Sequence, residues 1–472
     1  MKSEFKNKRI VAMCIVFGIV VGLVIAYPAG IEKIYIDNYL VDSLCLIMSI
    51  VMLLRLYIND KVDMFEPLIL IAAVYIMMYF FTPIYDICVG ELKWYGYDLF
   101  QYGIRATVIE FVGFIVFYFF YTHYFTFGDT RKDIHLYKDN DIHDNEVKVS
   151  ISLILLMYIF CFAANVYYLM RSGGNSLLYL LTLGLIGNGG STTVTESSLG
   201  FVSMFSYCLP AVTLLYWEFG KSKLVKIILF IPMFMLQVAR GFRFFVIQII
   251  ITFFAYYFIK NKKRPNMINI ILAALVLMIP VLLMTLFRVS LREGTGMDLS
   301  GISLKSIQNA FDAAVWDNFR IYQNVYGMVH VIPDTYGYVY GRQLVLGTIY
   351  MVIPRIIWPG KLSSYGGFGL TTLIGSNIAS GQAYPNIGEF YYAGGILGVI
   401  ICMAIYGMWM KYVRDRFMYS DNKFNWITYS VLLGANLQLI IRGYMPSNFW
   451  YVVFSILPVW IVRKFGIRRV GY

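Results

Sequence analysis

"QVARGFRFFVIQ", residues 237–248, decides how this chain is read. An apolar run ends just before it and another begins just after. The polar break between them is only Arg240-Gly241-Phe242-Arg243. Apolar stretches separated by turns this short mark a chain that threads a bilayer repeatedly. Composition agrees, with 59% hydrophobic residues, 14% charged residues and a mean hydropathy of +0.66, far from the balance of a soluble domain. Outward from the turn, twelve apolar runs lie near 9–27, 39–58, 66–85, 103–125, 149–170, 199–217, 225–239, 244–259, 268–288, 388–410, 424–441 and 449–464. The expected fold is all-α, a polytopic transmembrane helical bundle of about 12 spans, because a helix satisfies its own backbone in lipid. It divides into an N-terminal membrane bundle (1–288), one large loop (289–387) and C-terminal membrane helices (388–472).

The first run follows Lys2, Lys6, Lys8 and Arg9 like a signal sequence, but it lacks a small-x-small cleavage site and reads as a retained span. Of the cysteines, Cys14, Cys45, Cys161, Cys208 and Cys402 fall inside spans and Cys88 ends one, so no disulfide framework is implied. With the N-terminus inside, most Lys and Arg residues fall on the cytoplasmic side. They cluster at Lys221/Lys223/Lys226, Lys260/Lys262/Lys263/Arg264, Lys411/Arg414/Arg416 and Arg463/Lys464/Arg468/Arg469. Both termini are then cytoplasmic. The net charge of +12 is a topology signal and an attraction to anionic membrane lipid. No basic face with interleaved aromatics suggests nucleic acid.

On that topology the turn at 240–243 faces outward, against the charge rule. So do Arg171, Arg288, Arg292, Arg320, Arg342, Arg355, Lys361 and Arg442, all but one of them arginine. Arginine's planar fork grips phosphate in two places and keeps its charge when partly desolvated. Singly, each would snorkel to headgroup phosphates; as a set, they point to an outward pocket for an anionic ligand.

The remaining outer features sit in residues 289–388, too long for a bare connector. Residues 303–329 carry Ile307, Phe311, Ala314, Val315, Phe319, Tyr322, Val325, Tyr326 and Val329 at helical spacing. Asp312, Asp317, Asn318, Gln323 and Asn324 fill much of the opposite face. This predicts an amphipathic helix on the outer leaflet or on the spans. "LVLGTIYMVI" (344–353) is apolar but too short to cross, hence interfacial or re-entrant. Residues 354–395 are dense in Gly, Pro, Ser and aromatics, which suits either close approach to a sugar ligand or a mobile loop.

Ile353-Pro354-Arg355, Trp358-Pro359-Gly360-Lys361, the Gly/Ser-rich stretch, Ile387-Gly388-Glu389-Phe390-Tyr391 and Gly394-Gly395 follow one another in this segment. With the Arg-Gly turn at 240–241 and the long loop before the last three spans, they resemble the oligosaccharide repeat unit polymerases, the O-antigen polymerase (Wzy-type) family. The resemblance implies an enzyme on the outer face of the bacterial cytoplasmic membrane. It would move a growing glycan from undecaprenyl pyrophosphate onto the sugar end of a new lipid-linked repeat unit, beside a flippase and a chain-length regulator. The family's Arg-x10-Gly motif is matched by Arg355 and Gly366, and His330 with Gly341 is similar to a ligase pattern. No other arginine of the loop has a glycine at that distance, a departure from the two-motif form.

That reaction needs fixed positive charge where a pyrophosphate leaves. Arg240, Arg243, Arg288, Arg292, Arg342, Arg355, Lys361 and Arg442 are the candidates, set at span ends or in the loop. The acceptor hydroxyl benefits from a base. His330 is the one histidine expected outside, and Glu389 begins a span, a costly place for a carboxylate without a partner; either could serve. Otherwise His330 is a surface residue and Glu389 the ion-pair partner of an arginine. No acidic or histidine cluster suggests a metal, and no nucleotide motif occurs, so a cofactor is not expected. A ligase passing glycan to another acceptor uses the same donor chemistry. A lipid-linked oligosaccharide flippase is the rival of a different class. Its expected mark, a carboxylate deep in a span, is met by Glu110, for which Arg105 is the predicted partner.

Overall fold

The computed structural model describes residues 32–58, 65–93, 96–123, 147–173, 177, 180, 200–240, 243–261, 267–287, 303–353, 358, 384–420 and 422–469. The predicted span at 9–27 lies outside them. Every other apolar run forms a helix: α1 (Lys33–Ile58), α2 (Pro67–Val89), α3 (Gly103–Thr122), α4 (Ile151–Gly173), α5 (Leu209–Phe219, after shorter turns from Gly200), α6 (Lys223–Ala239), α7 (Arg243–Lys260) and α8 (Met267–Leu286). After them come α9 (Leu304–Phe319), α10 (Tyr322–Val331), α11 (Arg342–Val352), α12 (Asn386–Val413), α13 (Lys423–Ile441) and α14 (Met445–Phe465). Among the described residues, 8 of these helices are long and apolar enough to cross a membrane: α1 to α4, α7 and α12 to α14. The all-α membrane architecture therefore stands, with eight spans supported.

Local chemistry sets the helix ends. Ser222 and Asn422 cap α6 and α13 by accepting from Val225 and Phe424 amides, and Ser303 with Ser306 forms a reciprocal capping box at α9. Proline opens α2, where its missing donor costs nothing.

Two buried cores share α13. One gathers α1, α2, α3, α10 and α12; the other gathers α4 to α7 and α14. The most extensive helix pairings are α3 with α12 and α7 with α13, and glycine permits both. A Cβ on Gly407 would come within 2.8 Å of the Phe117 carbonyl, and one on Gly434 within 2.7 Å of the Gln248 carbonyl. In lipid, such close approach replaces the missing hydrophobic drive with packing. Residues 147–149 and 467–469 pair as a small antiparallel ribbon, which ties the start of α4 to the end of α14.

The loop helices differ from the sequence expectation. The helix predicted over 303–329 breaks at Arg320-Ile321 into α9 and α10. Helix α10 is buried almost throughout, Gln323 and Asn324 included. Their side of α10 does not meet water: α10 packs against α3, α12 and the turn at 100–102, so protein surrounds it. Helix α11, eleven residues long, spans only about 16 Å, too short to cross a bilayer. It lies on α14, where Trp450 Nε1 donates to the Thr348 carbonyl at 2.9 Å.

Candidate functional site

The break at 320 is held by Asp86, fully buried near the end of α2. Arg320 Nε and Nη2 each approach Asp86 Oδ1 at 2.9 Å, and Tyr322 Oη donates to Oδ2 at 3.0 Å. Alongside, Trp316 stacks on Tyr85 with ring centroids 3.9 Å apart. These contacts fix the C-terminal end of α9 against the bundle, and a cleft of about 150 Å³ opens there. Arg243, Phe244 and Ile247 of α7 line it. Ala314, Asn318 and Phe319 come from α9, and Gln438, Ile441 and Arg442 from the end of α13. Arg243 Nη1 donates to the Ala313 carbonyl at 2.7 Å and to Thr285 Oγ1 at 3.4 Å, so its fork is aimed by α8 and α9 together.

Arg442 is set by a different device. The turn Arg442-Gly443-Tyr444 puts Tyr444 at φ 83, a left-handed backbone unusual for a non-glycine residue. Glu389 holds that turn. Its carboxylate, 2% exposed, accepts from the Tyr444 amide at 2.8 Å and, with both oxygens, from the Met445 amide at 2.8 Å. A carboxylate at the N-terminus of α14 answers unpaired amides and the helix dipole together. Asn448 Nδ2 then donates to the Arg442 carbonyl at 2.6 Å. Glu389 thus meets backbone donors where the sequence suggested a catalytic base or an arginine's partner. It sits in the first part of α12, which is interrupted at Gly394-Gly395, where Gly395 takes φ 64.

Arg240 and Arg243 do not converge. Arg240 is 7% exposed and turns inward. Nη1 donates to Asn165 Oδ1 at 3.3 Å, and the guanidinium lies over the rings of Phe245 at 4.4 Å and Tyr168 at 5.7 Å. Its Nε has no partner, and no carboxylate pairs with it among the described residues. Burial pushes the guanidinium below its ordinary range, though an arginine stays charged. A buried cation lacking an acid is costly; the aromatic faces offset part of that.

His330 lies elsewhere. At the last turn of α10 its exposed ring stacks on Tyr102, centroids 4.2 Å apart. Nearby, Arg105 Nη2 donates to Tyr391 Oη at 3.2 Å, and Tyr391 Oη donates to the Ile332 carbonyl at 3.3 Å. The first segment of α12 therefore separates two groups, with Glu389 toward Arg442 and Tyr391 toward Arg105. The predicted Arg105–Glu110 pair is not made, since five residues along a helix is about 140° of rotation. Arg342 is exposed at the start of α11. Arg288, Arg292, Arg355 and Lys361 lie outside the described residues.

Asp86 and Gln438 escaped the sequence reading. Asp86, inside "TPIYDICVG", carried the signal of a carboxylate in an apolar run. Gln438, an amide within an apolar run, carried no signal that set it apart. Among the described residues no group of three or more His, Cys, Asp or Glu side chains could hold a metal.

A multi-pass helical bundle with a cleft lined by two arginines and a loop helix defines the class: an all-α membrane protein. The O-antigen polysaccharide polymerase Wzy family model matches residues 10–469, nearly the whole chain, and the protein belongs to that family. Membership brings repeat-unit polymerisation, a glycosyltransferase-type activity, and substrates that are lipid-linked oligosaccharides. It favours the first of the three activities the sequence left open. No curated protein and no solved structure matches the chain.

Proposed function

We propose that the protein polymerises a bacterial surface polysaccharide on the outer face of the cytoplasmic membrane. The growing glycan leaves undecaprenyl pyrophosphate and joins the sugar end of a new lipid-linked unit. The observation that carries this reading is the meeting of Arg243 and Arg442 in one cleft, on a chain of this family. Two guanidinium forks at a span end sit where a polyprenyl pyrophosphate presents its charge. Held in place by α9 and by Glu389, they stabilise the charge that develops on the leaving group without reorganising.

In this reading Glu389 is a positioning residue, because its oxygens are already engaged with amides. His330 is the candidate base for the acceptor hydroxyl's proton, its ring fixed on Tyr102 across α12 from the arginine pair, so this role requires the acceptor sugar to bridge that segment. Arg240 supplies buried positive charge behind the cleft. The outer-loop residues Arg288, Arg292, Arg342, Arg355 and Lys361 complete the cationic surface. Transfer draws its energy from the lipid pyrophosphate and proceeds without a metal. The N-terminal bundle, outer loop and C-terminal helices keep the boundaries 1–288, 289–387 and 388–472, with both termini cytoplasmic. A flippase supplies the units and a chain-length regulator acts alongside.

Lipid-linked glycan profiling in cells lacking the gene tests the reading. Accumulation of single units on the outer leaflet with loss of polymer is expected. Long lipid-linked polymer would instead assign a ligase, and units trapped on the inner leaflet a flippase.

A further inference from the structure

Across the first segment of α12 from the cleft, six side chains form a continuous row that the arginine pair does not account for. The rings of His330 and Tyr102 stack with centroids 4.2 Å apart. Arg105 stands three residues after Tyr102, at helical-neighbour spacing. Its Nη2 donates to Tyr391 Oη at 3.2 Å. Tyr338 meets the Tyr391 ring edge-on at 6.0 Å, and Tyr340 meets Tyr338 at 6.4 Å. The row is assembled from three parts of the chain: the start of α3, the segment 330–340 and the head of α12.

Two members are held toward solvent by what lies beneath them. Tyr391, 1% exposed, accepts from Arg105 and donates to the Ile332 carbonyl at 3.3 Å, so it clamps one corner of the guanidinium. Arg105 itself is exposed, and no carboxylate pairs with it among the described residues. Tyr340 is 84% exposed at φ 47, a conformation a bulky residue keeps only where its surroundings impose it. Here they do. The amides on either side of it, Val339 and Gly341, donate to the Tyr392 and Ala393 carbonyls at 3.1 and 3.0 Å. Tyr338 in turn needs Gly395, on which a Cβ would lie 3.0 Å from the tyrosine ring.

An arginine that only snorkels to lipid phosphate needs no clamp, and an interfacial tyrosine needs no strained backbone. A pre-aimed guanidinium between aromatic faces suits a ligand that is both ring-shaped and anionic. Sugar rings lay their C–H faces on aromatic rings, and a carboxylate pairs with the fork of an arginine through two parallel bonds. We propose that this row binds the acceptor glycan, and that the glycan carries a carboxylated sugar read by Arg105. The inference rests on the polymerase reading, which brings the glycan to this face. The unit lies along the row with its acceptor end at His330 and its far end at Tyr340.

The test extracts lipid-linked units from cells lacking the gene, identifies their sugars, and measures transfer by the full-length protein in nanodiscs. The units should contain a carboxylated sugar, and wholly neutral units overturn the proposal. With native units, Arg105→Gln should raise KM about tenfold at unchanged kcat, the low end for a charge-assisted bond because the site is exposed. Arg105→Lys should recover only part of that loss. Reducing the unit's carboxyl groups to alcohols should cost the wild type the same factor and cost Arg105→Gln nothing more. Equal losses in the two proteins overturn the proposal. So does an Arg105→Gln defect that instead follows the phosphatidylglycerol content of the nanodisc, which assigns Arg105 to lipid phosphate. Tyr340→Ala should raise KM several-fold for native and reduced units alike, and an unchanged KM there removes the tyrosines from the site. A wild type that transfers no glycan removes the polymerase reading and this inference with it, whereas transfer indifferent to Arg105 removes the inference alone.

Discussion

Replacing Glu389 by glutamine separates a positioning role from a catalytic one. The carboxylate accepts from two backbone amides at 2.8 Å at the head of α14, from a site 2% exposed. Hydrogen bonds to a charged acceptor are worth about 1.5–3 kcal/mol each against about 1 for neutral ones. The helix-terminal charge adds up to about 2 kcal/mol when partly buried. Glutamine keeps one acceptor oxygen but turns an NH2 group toward the second amide. The expected loss is about 2–4 kcal/mol, concentrated in the strained turn at Tyr444. Purified Glu389→Gln should therefore unfold at a clearly lower temperature, and polymer formation should fall because Arg442 is no longer fixed. Glu389→Asp keeps the charge and should recover part of both. If Glu389→Gln unfolds like the wild type while polymer disappears, the carboxylate is doing chemistry and the positioning argument is refuted.

Arg243→Lys and Arg442→Lys keep the charge but not the fork, and each should cut polymer synthesis about 10²-fold; normal lipid-linked glycan profiles would remove the cleft from the donor site. His330→Phe retains the ring on Tyr102 while losing the nitrogens. A base predicts a rate drop of about 10²-fold or more with unchanged unfolding temperature, and a normal rate in a single-turnover assay would end that role. Arg240→Met removes a buried cation that has no acid partner among the described residues, so stability should hold or rise, by about 1–4 kcal/mol at most, while polymer falls. Gly434→Ala should cost about 1–3 kcal/mol, because its Cβ meets the Gln248 carbonyl at 2.7 Å; unchanged thermal unfolding would mean that α7 and α13 separate readily.

What could be read in advance follows from whether a property is local. Apolar runs are local, and every run within the described residues became a helix at nearly its predicted place. Gly394-Gly395 was visible at the head of a span and does interrupt α12. Glu389 was visible as an expensive carboxylate. Its partners were not, because they are the amides of Tyr444 and Met445, and no side-chain pattern announces a backbone donor. The burial of Gln323 and Asn324 was illegible for a related reason. Helical spacing separates polar from apolar faces but cannot say that protein will cover both. Asp42 was passed over although it lies in an apolar run, since its hydrogen-bond partner Thr107 belongs to another helix.

The turn at 240–243 asked why two arginines should share so short a connection. Spacing suggested a joint grip on one anion, but α6 ends at Ala239 and α7 begins at Arg243, so the two side chains belong to different helices. Arg240 points back among Asn165, Tyr168 and Phe245, while Arg243 meets α9 and the cleft it shares with Arg442. The partner of Arg243 is thus set by the α13–α14 turn, and that turn is set by Glu389. A carboxylate at the head of α12 therefore governs the geometry of an arginine pair assembled from the start of α7 and the end of α13. This is why Glu389→Gln and Arg442→Lys should lose the same activity while only the first loses stability.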